Sequence, residues 1–141
     1  MQIDILARPA NTITKITFVR NEEITAEGGS MVAMSGGLDV QTTTHKRGKR
    51  GIARAVKRAF AGENIFLNHY KAERDGAHLY VAPNLSGDIM THELQGSSLI
   101  VQATSFLAHE ASVDMDVSWQ GFKNMLSSEG LFWLKMSGTG K

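Results

Sequence analysis

Ser30-Met31-Val32-Ala33-Met34-Ser35-Gly36-Gly37-Leu38-Asp39-Val40 matches Ser105-Phe106-Leu107-Ala108-His109-Glu110-Ala111-Ser112-Val113-Asp114-Met115, 75 residues further on. Both stretches read Ser, apolar, apolar, Ala, a four-residue break, then apolar-Asp-apolar. Upstream, Ala7-Arg8-Pro9-Ala10-Asn11 parallels Val81-Ala82-Pro83-Asn84-Leu85 with only the proline identical. Downstream, Gly62-Glu63-Asn64-Ile65-Phe66-Leu67 parallels Ser128-Glu129-Gly130-Leu131-Phe132-Trp133 at the shorter spacing of 66 residues. Three blocks in one order predict an internal duplication, and repeats govern the whole fold where they occur. The expected arrangement is a single domain of two units, residues 1–76 and 77–141, the first carrying extra residues around 46–57.

Each unit reads as short strands around one short helix. Residues 12–19 alternate and are rich in β-branched side chains, the pattern of a half-buried strand. Residues 31–34 and 38–42 are two further strands, with Ser35-Gly36-Gly37 between them as the positive-φ turn of a tight hairpin. Ile52, Ala55, Val56, Ala59 and Phe60 switch to the spacing of one helix face, as do Phe122, Met125 and Leu126 in the second unit. Strands are then expected over 64–70, 78–82, 98–102 and 131–136. Gly76 and Asn84-Leu85-Ser86-Gly87-Asp88 read as turns, and Ser137-Gly138-Thr139-Gly140-Lys141 as the turn after the last strand, its hairpin partner missing. An edge left unpaired in this way invites another chain, so a homo-oligomer is expected. The fold class is mainly β: duplicated antiparallel units packed as a prism or barrel-like sandwich.

The 141 residues suffice for one real core, and 42% hydrophobic with 21% charged is a globular balance. The absence of cysteine excludes disulfides and thiolate chemistry and fits a reducing compartment. The start of the chain has no basic-then-apolar leader pattern, and no stretch reaches the roughly 18 to 20 apolar residues of a spanning helix. The expected location is the cytoplasm.

Charge is the one local anomaly. Lys46, Arg47, Lys49, Arg50, Arg54, Lys57 and Arg58 are seven of the 15 lysines and arginines, and no acid stands between Asp39 and Glu63. On the expected helix Arg54, Lys57 and Arg58 oppose Ile52, Val56 and Ala59. Such a run is most often a solvated face. Its functional reading is contact with an anionic membrane surface or a protein partner, and the alternative is nucleic-acid binding through the same cations. Gly48-Lys49-Arg50-Gly51 has the form of a Gly-x-x-Gly nucleic-acid loop, but a strand precedes it where a helix should.

Other constellations point away from catalysis. His45, His69, His78, His92 and His109 form no ligand pair at local spacing, although His69 and His78 are placed to face each other across a hairpin. No metal site, cofactor or catalytic residue is expected. There is no Gly-x-Ser-x-Gly, and Gly138-Thr139-Gly140-Lys141 lacks the upstream glycine and following hydroxyl of a phosphate loop. Glu63 with Glu129, and Asp39 with Asp114, recur between the units and read as turn or capping residues. Trp119, Phe122, Phe132 and Trp133 read as core.

Ala26-Glu27-Gly28-Gly29-Ser30-Met31-Val32-Ala33-Met34, Gly62-Glu63-Asn64-Ile65-Phe66-Leu67-Asn68, Ala82-Pro83-Asn84-Leu85-Ser86-Gly87-Asp88-Ile89, Trp119-Gln120-Gly121-Phe122-Lys123 and Ser128-Glu129-Gly130-Leu131-Phe132 together resemble the altered inheritance of mitochondria family, over nearly the whole chain. The resemblance implies a fold like that of the tryptophan RNA-binding attenuation protein, with repeated antiparallel units. It carries no catalytic residues with it. Members of that family run on with a further repeat, so it also implies a chain shorter than its relatives. The expected function is a non-catalytic, oligomeric β scaffold or binding module.

Overall fold

The computed structural model describes residues 1–43, 66–116 and 133–141. The expected helices over 52–60 and 122–126 and the whole cationic run lie outside them. So do His45, Glu63, Trp119, Phe122, Glu129 and Phe132.

Eleven strands account for most of the described residues: β1 Gln2–Leu6, β2 Ile13–Thr17, β3 Glu23–Glu27, β4 Met31–Met34, β5 Leu38–Thr43, β6 Leu67–Ala72, β7 His78–Val81, β8 Leu94–Gln102, β9 Ala108–Glu110, β10 Val113–Asp116 and β11 Trp133–Gly140. A single 3-10 turn, Ala103–Ser105, is the one helical element among them. The strands make three open antiparallel sheets, none closed as a barrel. Their orders are β1-β2-β7-β4, β5-β6-β3-β9 and β10-β11-β8.

One plan runs through all three sheets. Each begins with an antiparallel pair of sequence-consecutive strands, β1-β2, β5-β6 or β10-β11, and adds a third strand, β7, β3 or β8. In the first and second sheets a fourth strand lies on the third: β4 pairs with β7 and β9 with β3. β3–β6 and β8–β11 therefore pass through corresponding positions. Among the described residues no strand lies on the outer side of β8.

The first two sheets share strands through bends. β2 leads into β3, β4 into β5 and β6 into β7, each time crossing from one sheet to the other. The bends are bonded to one another: the Phe18 amide donates to the Ala77 carbonyl (2.8 Å), Asn21 to Ala72 (2.8 Å) and Glu73 to Gly37 (2.9 Å). The expected β4–β5 hairpin is thus corrected to a corner. Gly37 has its positive φ (+88°), but the turn sends β5 to pair with β6 and β4 with β7. Leu38 and Val40 of β5 pack against the core in this arrangement. That core gathers Ile16, Phe18, Ile24, Tyr70, Leu79 and Val81. A second cluster, with Phe106, Val113, Leu134 and Met136, backs the third sheet.

The end of the described chain differs most from expectation. Residues 137–140 are no turn: β11 continues through them as the central strand of its sheet, between β10 and β8, with a register shift between Ser137 and Thr139. Gly138 is in a left-handed conformation (φ +127°), and a Cβ there would stand 2.5 Å from the Ser112 carbonyl oxygen. Glycine inside a strand marks such a bulge and close backbone approach. Asp39 and Asp114 are likewise in strands rather than caps, opposite Lys71 and Ser137.

Candidate functional site: a three-walled cavity and an open edge

The sequence-level candidates are not brought together. The seven cations Lys46 to Arg58 lie outside the described residues. His69 and His78 do not face each other, because β6 and β7 belong to different sheets. The His69 Nδ1 is 2.8 Å from the Thr25 hydroxyl, and His78 meets the Tyr80 ring edge-on at 5.5 Å. His109 is buried (4% exposed), its Nδ1 2.8 Å from the Glu110 carbonyl oxygen. Among the described residues no three His, Asp or Glu side chains gather as metal ligands do. Trp133 is half-buried at the start of β11.

What the fold does assemble is a cavity of about 400 Å³ with walls from all three sheets. Ile3, Ile16, Ile24, Leu99, Val113 and Met136 supply much of its apolar lining. Thr14 shares the inward face of β2 with Ile16, as the strand's alternating burial requires. It lines the cavity and is 4% exposed. Its hydroxyl has no hydrogen-bond partner.

The segment between β7 and β8 closes one side. Asp88 through His92 line the cavity without forming a strand. Pro83 and the turn-forming run 84–88 interrupt any continuation of β7. Asp88 pins the segment. Its carboxylate accepts from Arg8 Nε (3.0 Å) and Nη2 (2.8 Å), from the Thr12 hydroxyl (3.0 Å) and from the Ile89 amide (2.9 Å). The Arg8 hydrogen bond is the main reason the Asp88 carboxyl lies below the usual carboxylate range. The same contact raises the Arg8 guanidinium. Leu85 and Met90, beside this anchor, are exposed.

Two edges complete the picture. β8 contains no charged residue and no proline along nine residues, and residues 95–98 are exposed. β4, at the edge of the first sheet, is Met-Val-Ala-Met with all four residues exposed. Of the charges, prolines and bulges with which natural edge strands block further pairing, these two carry only bulges: Val32 is the extra residue in β4, and Gly96 with Ser97 stands opposite Gly138 alone in β8. Sequence reading missed β1 and β3 and saw only the last five residues of β8. The apolar alternation of Ile3 with Ile5 was a signal for β1, whereas β3, with three successive buried residues, has no clean period to read.

The family model described as Mitochondrial biogenesis AIM24 matches residues 3–141. No curated protein matches the chain by sequence. A crystallographically determined protein from Streptococcus pyogenes is similar in fold, with a TM-score of 0.73 at 22% identity. The similarity covers 99% of this chain and 61% of that one, so the chain spans about three-fifths of that protein's length. No helix among the described residues is long and apolar enough to cross a membrane. With a family model matching from residue 3 to residue 141, the chain belongs to the Mitochondrial biogenesis AIM24 family.

Proposed function

We propose that this chain is a non-catalytic β scaffold that joins a second copy of itself by edge-to-edge pairing along β8. The observation that carries the reading is that, among the described residues, no strand lies on the outer side of β8, where the first and second sheets each have a fourth strand. Beyond the bulge at Gly96 and Ser97, the uncharged, proline-free residues 98–102 present a row of backbone donors and acceptors with nothing on their side chains to repel a partner strand. Antiparallel pairing of two β8 strands about a two-fold axis satisfies both edges at once and closes the assembly. The reading as non-catalytic rests on the missing nucleophile motifs of the sequence. The recurrence of strand positions between β3–β6 and β8–β11 supports a duplicated unit, whose copies the sequence puts at residues 1–76 and 77–141. The cations of 46–58 are proposed, from sequence alone, as the surface such a scaffold turns toward an anionic membrane or partner.

Light scattering over a range of concentrations tests this. A dimer is expected for the native chain. The double variant Ser97→Lys, Ser98→Lys, which charges an exposed part of the edge, is expected to be a folded monomer. A native chain that stays monomeric throughout, or a dimer indifferent to both lysines, would refute the proposal.

A further inference from the structure

We infer that residues 83–93, between β7 and β8, are a strap that opens over the cavity as one unit while the three sheets stay folded, and that the Arg8–Asp88 pair is its latch. This gate does not depend on the assembly proposed above. How the strap is held, and what lies beneath it, carry the assignment.

Both ends of the strap are fixed. The Ala82 amide donates to the Ser30 carbonyl (2.9 Å), and Leu94, 3% exposed, enters β8 opposite Gly140. Between these ends Pro83, Gly87 and Ile89 are half-buried and the other eight residues are exposed. Little apolar packing therefore holds the segment down. Hydrogen bonds are as sparse. Among the described residues, the strap bonds to the rest of the chain at one place. There Gly87 bridges Asn11, its carbonyl accepting from the Thr12 amide (3.3 Å). Next to it the Asp88 carboxylate accepts from Arg8 and from the Thr12 hydroxyl. The bond made by the Ile89 amide is internal to the strap, to Asp88. A segment with few buried contacts and few hydrogen bonds opens at a lower free energy than the strands around it.

The latch stands where losing one contact frees the whole segment. Arg8 follows β1 and Thr12 precedes β2, so the donors from outside the strap all come from the turn of one strand pair. Asp88 also begins the run that lines the cavity, which continues through His92. Beneath that run is a space of about 400 Å³ rather than a packed core, and lifting the strap gives up correspondingly few contacts. Val81 and Val113, each 1% exposed, line the same space from the first and third sheets. Their side chains meet solvent when the strap lifts.

The chain has no cysteine, so one introduced thiol reports the opening. Val81→Cys is treated with dithiobis(nitrobenzoate), and the labelling rate is followed at urea concentrations below the unfolding transition. Labelling is expected to rise with urea at less than about half the slope of global unfolding, because only a short segment gains exposure. In the same background Asp88→Asn and Arg8→Ala are each expected to label roughly three- to tenfold faster. The double variant is expected to label no faster than the faster single one, since both substitutions remove the same contact. A reporter that follows the global slope throughout would overturn the strap's separate opening. Rates unmoved by either substitution, or accelerations that multiply in the double variant, would overturn the latch. Should Val81→Cys fail to fold, Val113→Cys reports on the same cavity from its other wall.

Discussion

Gly138→Ala separates the observed third sheet from the terminal turn that the sequence suggests. At a solvent-exposed turn with positive φ, alanine costs only the conformational penalty, about 1–2 kcal/mol, reduced by about 0.4–1 kcal/mol of lost freedom in the unfolded chain. At Gly138 that penalty remains, and the new Cβ also stands 2.5 Å from the Ser112 carbonyl oxygen and 3.3 Å from the Val113 Cα. Both are backbone atoms of the neighbouring strand and its approach, so relief requires moving β10 off β11. Overpacking of this kind adds about 1–3 kcal/mol, and the net loss is therefore about 2–4 kcal/mol. Gly76 is the internal control. Its φ is +73°, yet a Cβ there meets nothing within 4 Å, so Gly76→Ala is expected to lose no more than about 1.5 kcal/mol. Urea unfolding followed by circular dichroism measures both. With a slope near 2 kcal/mol per molar, Gly138→Ala lowers the midpoint by about 1–2 M, and Gly76→Ala by well under 1 M. Equal, small losses at the two positions would refute the placement of residues 137–140 inside a central strand.

Leu134 is fully buried in the same strand, and Leu134→Ala is expected to cost about 2–5 kcal/mol, read from the same urea curves. The Asp88 carboxyl is depressed, chiefly by its hydrogen bond from Arg8; its contribution is complete above the unfolded value near 3.8 and is lost as pH falls through the lower folded value. Asp88→Asn is therefore expected to melt earlier than the native chain at pH 7, with the gap closing in strong acid; a gap that persists there would refute the ion pair's role. Burial alone raises the Glu27 carboxyl above its ordinary value, so the fold binds that proton more tightly than the unfolded chain does. Stability gained from that proton is present below the unfolded pKa and lost as pH rises through the folded one. Glu27→Gln is accordingly expected to be more stable than the native chain at pH 7 and to lose that advantage toward acid, measured by thermal melts across pH.

The β character of this chain was legible in local pattern. Thr-Ile-Thr-Lys-Ile-Thr at 12–17 and His-Leu-Tyr-Val at 78–81 alternate because one face of each strand meets a core, and both are strands. The matching stretches at 30–40 and 105–115 marked segments that occupy corresponding sheet positions, β4 and β9 at the fourth place and β5 and β10 at the first. Which strands pair was not legible. Ser35-Gly36-Gly37 and the glycines of β11 have the local chemistry of turns, and a positive φ serves a hairpin, a corner between sheets or a bulge equally well. The choice among them depends on a distant backbone: β7 beside β4, and Ser112 against Gly138. The candidate site lies further still from local reading. Thr14 is one more β-branched residue in an alternating run, and its lack of a partner arises only when walls from three sheets close around it. Local pattern determined which residues turn inward; the packing of sheets that pair residues up to 86 positions apart, as Ile24 is from Glu110, decided what they turn toward.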